Sequence, residues 1–105
     1  MENILNLLQE ISEQFGFELF FHQDTEEAWM TGYKDKTKFD LYVRPQRDGT
    51  YKMVFEIPFD KKVCLFLEEE GTINRIKDIF YNGLYFPKFK EKEDITNGVQ
   101  SYATN

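Results

Sequence analysis

The residue types from which catalytic and cofactor sites are usually assembled are scarce in this chain. There is one cysteine, Cys64, so no disulfide can close within the sequence. There is one histidine, His22, so any imidazole metal site or Ser–His or Cys–His pair would have to use it. No serine stands in a nucleophile-elbow pattern. The glycines Gly32, Gly49, Gly71, Gly83 and Gly98 are isolated turn or cap residues, and none belongs to a phosphate-cradling loop. No run approaches the roughly 20 apolar residues that span a bilayer. Met1-Glu2-Asn3 lacks the positive flank of a secretory signal. With a single cysteine, these absences lead to the expectation of a cytoplasmic protein from a reducing compartment, with no membrane contact, no cofactor and no metal. Basic residues are missing from a whole third of the chain: residues 1–33 hold Glu2, Glu10, Glu13, Glu18, Asp24, Glu26 and Glu27 but no Lys or Arg.

What is present is aromatic and acidic. The chain has 105 residues, which is one domain by size, expected to run 1–105 with a frayed tail over 95–105. Eleven Phe and six Tyr exceed what so small a core hides, so some aromatics should lie on the surface as partner contacts. The net charge of −6 repels nucleic acid and attracts basic surfaces. The positive charge of the chain collects in residues 34–62, which carry Lys34, Lys36, Lys38, Arg44, Arg47, Lys52, Lys61 and Lys62.

Periodicity predicts an α+β fold: an N-terminal helix, an antiparallel β-meander of four to five strands, and a C-terminal helix packed on the sheet. Ile4, Leu7, Leu8, Ile11 and Phe15 recur at helical spacing over residues 2–15, and Gly16 follows as a stop. Phe17, Leu19 and Phe21 alternate with Glu18, Phe20 and His22, whose face is itself partly apolar. Trp29, Thr31 and Tyr33 share one side of a second strand. Phe39–Phe59 reads as a hairpin, with Phe39, Leu41 and Val43 on one arm and Met53, Phe55 and Ile57 on the other. Pro45 ends the first arm, and Asp48-Gly49 provides the tight turn. Residues 62–68 fit a strand and a helix alike. Val63 and the stop at Gly71 favour a strand, which places Cys64 in an apolar run as a buried, inert thiol. Thr72–Asn82 reads as a helix with Thr72 as N-cap and an Ile73, Ile76, Ile79 and Phe80 stripe. Leu84–Pro87 is an apolar exit packing on the domain edge.

Chemistry is sought where charges cluster. Asp24-Thr25-Glu26-Glu27 and Glu68-Glu69-Glu70 are oxygen-rich, but neither has calcium-loop spacing, and both read as solvated turn or strand-end runs. His22 reads as an exposed strand-end residue. The basic residues of 34–62 lie among Tyr33, Tyr42 and Tyr51. That composition permits a small RNA-binding module on the hairpin, against which the overall charge weighs.

One pattern resembles a known family. Asp48-Gly49 followed by Tyr51–Ile57, then Ile76–Gly83 (IKDIFYNG), in a helix–sheet–helix order, is similar to small acidic phage anti-CRISPR inhibitors of the type II-A group. In that family the acidic surface imitates DNA phosphates and blocks the RNA-guided nuclease, and the hairpin tip reaches toward the nuclease centre. The resemblance implies a tip at Asp48 and Gly49. The family's acidic segment after the second helix corresponds here to KFKEKED, which is nearly neutral; the acids gather in residues 1–33 and at Glu68–Glu70 instead. The expectation is a non-enzymatic acidic inhibitor of a nucleic-acid-handling protein, a CRISPR nuclease in the family's terms. Its partner surface comprises Asp24, Glu26, Glu27, Trp29, Arg47, Asp48, Gly49, Glu68, Glu69 and Glu70. An immunity protein neutralising a toxin is the alternative with the same physics, and the RNA-binding module is the alternative with different physics.

Overall fold

A computed structural model of the chain describes residues 1–88. The tail expected to fray, 95–105, and most of the KFKEKED segment lie outside the described residues. Two helices, α1 (Glu2–Phe15) and α2 (Glu69–Tyr81), bracket five strands: β1 (Glu18–His22), β2 (Glu27–Lys34), β3 (Thr37–Pro45), β4 (Tyr51–Ile57) and β5 (Lys61–Leu67). The strands form one antiparallel sheet in the order β1-β2-β3-β4-β5. This is the expected α+β meander, and the ambiguous run after Pro58 is its fifth strand. Tight connections leave each strand no partner but the next one, which is why sequence order and sheet order coincide.

Both helices cover the same face of the sheet. Their stripes (Ile4, Leu8 and Ile11 of α1; Ile76, Ile79 and Phe80 of α2) meet Met30, Leu41, Val43, Met53 and Phe55 in one fully buried core. At the end where both helices finish, the core is aromatic. Phe39 sits among Phe17, Phe55, Phe80 and Phe86 at ring-centroid distances of 4.7, 6.2, 5.1 and 5.9 Å. Leu84–Pro87 is therefore more than an edge exit: Phe86 is buried, and Tyr85 lies 5.5 Å from Phe55 with its hydroxyl accepting from Arg75 Nη1 at 2.7 Å.

Three local expectations are corrected. Helix α2 begins at Glu69 with Glu68 as its cap residue, so Thr72 is not the N-cap and Gly71 does not end a strand. Thr72 is buried, and its hydroxyl donates back to the Glu68 carbonyl at 2.9 Å. The first turn, Glu69-Glu70-Gly71, carries no apolar residue, so hydrophobic periodicity is silent there; the acids suit it because a helix N-terminus is electropositive. Glu68–Glu70 thus form a helix start and not a strand end. Cys64 is exposed, because the strict alternation of β5 sends Val63, Leu65 and Leu67 to the helices and Cys64 and Phe66 to the other side.

The β4–β5 turn holds an unusual residue. Asp60 N–H donates to the Ile57 carbonyl at 2.9 Å across Pro58-Phe59, and Phe59 adopts φ 67 with its side chain wholly exposed. That is the third position of a type II turn, where glycine is the unstrained choice. Since the ring packs on nothing, Phe59→Gly is expected to raise stability by up to about 1 kcal/mol, the relief of left-handed strain outweighing the added freedom of the unfolded chain. A rise in the urea midpoint at unchanged m-value checks it; a fall would mean the ring makes contacts.

Candidate functional site

Strand direction sorts the chain's turns into two ends. The β1–β2 turn, the β3–β4 turn and the β5–α2 junction lie at one end, where both helices start. Asn3 of α1 donates to Glu69 Oε2 of α2 at 3.3 Å, and the Met1 amino group donates to Tyr51 Oη at 3.1 Å. Two acidic runs some 40 residues apart in sequence are thereby brought to one end: Asp24, Glu26 and Glu27 from the first turn, Glu68, Glu69 and Glu70 from the helix start. Tyr51 registers both. Burial pushes its phenol up first, and the carboxylates of Glu69 and Glu26 push it further the same way.

The hairpin tip joins this end and has its own internal wiring. Gly49 takes φ 92, Gln46 N–H donates to the Thr50 carbonyl at 2.8 Å, and Asp48 Oδ1 accepts from the Thr50 backbone N–H at 2.9 Å and its hydroxyl at 2.6 Å. Those two bonds hold the Asp48 carboxyl below its ordinary range. The tip is thus a preformed loop, with Arg47 exposed beside it. Arg44 and Lys52 lie one register pair back, and Arg44 Nη1 pairs with Glu27 Oε2 at 3.5 Å. The opposite end holds Lys34, Lys36, Lys61 and Lys62 beside Asp35 and Asp60. The basic zone of residues 34–62 is therefore split between the two ends of the strands and does not make one patch.

Trp29 is not at the acidic end. It sits in the middle of the sheet face that the helices leave bare, and it belongs to a row that the sequence reading did not assemble. Cross-strand partners share a face, so the register places Phe20, Trp29, Tyr42, Val54 and Cys64 side by side across all five strands. Phe20 is 53% exposed, Trp29 50%, and Phe66, one row away on β5, 59%. Phe20 and Trp29 lie 6.0 Å apart. Toward the basic end the next row is Glu18, Thr31, Asp40, Glu56 and Lys62; toward the acidic end it is His22, Glu27, Arg44, Lys52 and Phe66. Shallow hollows open between Trp29, Tyr42 and Val54 and between Phe20, Trp29 and Tyr42. The signal for this row was in the sequence: the second face of each strand carries an apolar residue at its centre.

His22 is an exposed strand-end residue, as expected, with Thr25 Oγ1 3.3 Å from its Nδ1. It stands on β1 and Cys64 on β5, the two edges of the sheet, so they do not meet as base and nucleophile. Among the described residues, no three His, Cys, Asp or Glu side chains are grouped to hold a metal ion, and no helix is long and apolar enough to cross a membrane. Comparison of the chain with protein families, curated proteins and solved structures found no match.

Proposed function

We propose that the chain is a non-enzymatic acidic inhibitor that docks the acidic end of its sheet on the basic, nucleic-acid-reading surface of a protein partner in the cytoplasm. The particular partner suggested by the sequence resemblance is a type II-A CRISPR nuclease. The observation that supports this reading is the convergence of Asp24, Glu26 and Glu27 with Glu68, Glu69 and Glu70 beside a preformed hairpin tip. Carboxylates held at one end of the sheet concentrate negative charge there, the kind of field that attracts a basic, phosphate-binding surface. Arg47 and the Asp48–Gly49 turn add a fixed, shaped projection. An RNA-binding hairpin is disfavoured by the same geometry, because the basic residues it needs are divided between two ends.

The test measures target-duplex cleavage by such a nuclease at rising concentrations of the protein. Inhibition is expected, weakening as salt is raised. The triple variant Glu68→Lys, Glu69→Lys, Glu70→Lys is expected to slow association roughly tenfold, since opposed fields act mainly on encounter. Association rates that ignore both salt and the charge reversal would remove the electrostatic docking; undiminished cleavage at saturating protein and low salt would remove this partner.

A further inference from the structure

We infer that the bare face of the sheet is the interface of a symmetric dimer, covered by a second copy of this chain. The inference concerns a different surface from the acidic end and stands or falls separately from it. A two-fold axis lying along the Phe20–Trp29–Tyr42–Val54–Cys64 row sets each strand over the same strand of the other copy and exchanges the two flanking rows. Asp40 then faces Arg44 of the second copy, Glu56 faces Lys52, and Glu18 faces His22, each pair occurring twice. The alternative axis, parallel to the strands through β3, would keep opposite charges together at Glu18–Lys62 and Glu27–Lys52 but would set Asp40 against Asp40 and Arg44 against Arg44 at its centre, a repulsion the first arrangement avoids. Charge therefore selects the first arrangement.

The apolar row supplies the driving force and the charged rows the register. Two sheets packed face to face interdigitate side chains across about 10 Å, the reach of Phe20, Trp29 and Tyr42. Five strands about 4.8 Å apart and about six residues of 3.4 Å rise make a face on the order of 500 Å2 in projection. Covering two such faces removes on the order of 1,000 Å2 or somewhat more, where specific interfaces begin. An interface at this lower limit of size suits a reversible dimer and not an obligate one.

Sedimentation of the full chain from about 1 μM to about 1 mM should show this equilibrium. Asp40→Arg and Arg44→Asp should each weaken dimerisation at least about tenfold, and the two together should restore it to within about threefold, because the swap exchanges the partners of a symmetric pair. Tyr42→Asp should abolish it while leaving the thermal melt of the monomer cooperative, which separates loss of the interface from loss of the fold. A bismaleimide spanning about 10 Å should join two wild-type chains through Cys64, which lies on the axis, and should fail with Cys64→Ser. The Glu68–Glu70 charge reversal should dimerise like wild type. A protein monomeric at about 1 mM overturns the inference. So does a monomer whose Trp29 fluorescence is quenched by single-stranded RNA, an outcome that would make the face a base-stacking platform. A double swap no better than either single variant overturns the proposed axis.

Discussion

Phe39→Ala is expected to lower the unfolding free energy by about 3–5 kcal/mol, the range for removing a fully buried aromatic ring from a close-packed core. Phe39 has no exposed surface, and its ring touches the rings of Phe17, Phe55, Phe80 and Phe86. Those four come from the β1 approach, β4, α2 and the segment after α2, so one side chain ties together four separate parts of the chain. Aromatic pairs contribute roughly 0.5–1.5 kcal/mol beyond the area they bury, and four partners cannot all follow the retreat of one ring. A domain of this size has roughly 5–15 kcal/mol in all. The variant should consequently unfold at a much lower urea concentration, with its m-value unchanged if the unfolded state is the same. Phe39→Leu, which keeps most of the volume, should cost less, about 1–2 kcal/mol. A loss under about 1.5 kcal/mol for the alanine variant would show that the cluster collapses around the gap.

Much of this architecture is legible in the strand alternation. Met53, Phe55 and Ile57 against Lys52, Val54 and Glu56 define two faces without any structure, and the polar turns at 23–26, 35–36 and 46–50 leave the chain only a meander to form. The start of α2 was hidden because Glu69-Glu70-Gly71 is helical for reasons that apolar periodicity does not register: electrostatics at the helix start and the buried Thr72 that follows. Neighbourhood in the sequence misplaces Cys64. An apolar run looks buried throughout, but a strand buries only every second residue, and this sheet is covered on one side. The candidate site was half legible. Each acidic run is visible as a run, and their placement at one end is not, because it depends on an even number of strands, β2 to β5, separating the first turn from the start of α2. The bare-face row has the same character. Phe20, Trp29, Tyr42, Val54 and Cys64 are unremarkable one by one and become a surface only through the register, which turn lengths fix and composition does not.

The register also explains a glycine, and with it the second large effect. Gly32→Ala is expected to destabilise the fold by about 1–3 kcal/mol, although alanine is ordinarily the better tolerated residue in a strand interior. Gly32 faces the core opposite Phe39, and a Cβ built on it would stand 2.6 Å from Phe17 Cδ1 and 3.2 Å from Phe17 Cγ. The ring of Phe17 is laid across the bare backbone of β2, filling the space that a side chain would otherwise occupy. It has little room to yield, since it is stacked on Phe15 at 5.4 Å and set edge-on against Phe39 at 4.7 Å, with Phe80 at 5.7 Å. A methyl group at position 32 therefore displaces a buried ring and, through it, the aromatic cluster that Phe39 centres. If that contact is the cause, the cost must vanish when the ring is removed. In a Phe17→Ala background, itself destabilised by the lost ring, Gly32→Ala should be neutral or slightly stabilising. The double-mutant cycle should then show a coupling of at least about 1 kcal/mol between the two positions. Equal costs of Gly32→Ala in both backgrounds would place the requirement for glycine in the strand itself and not in its contact with Phe17.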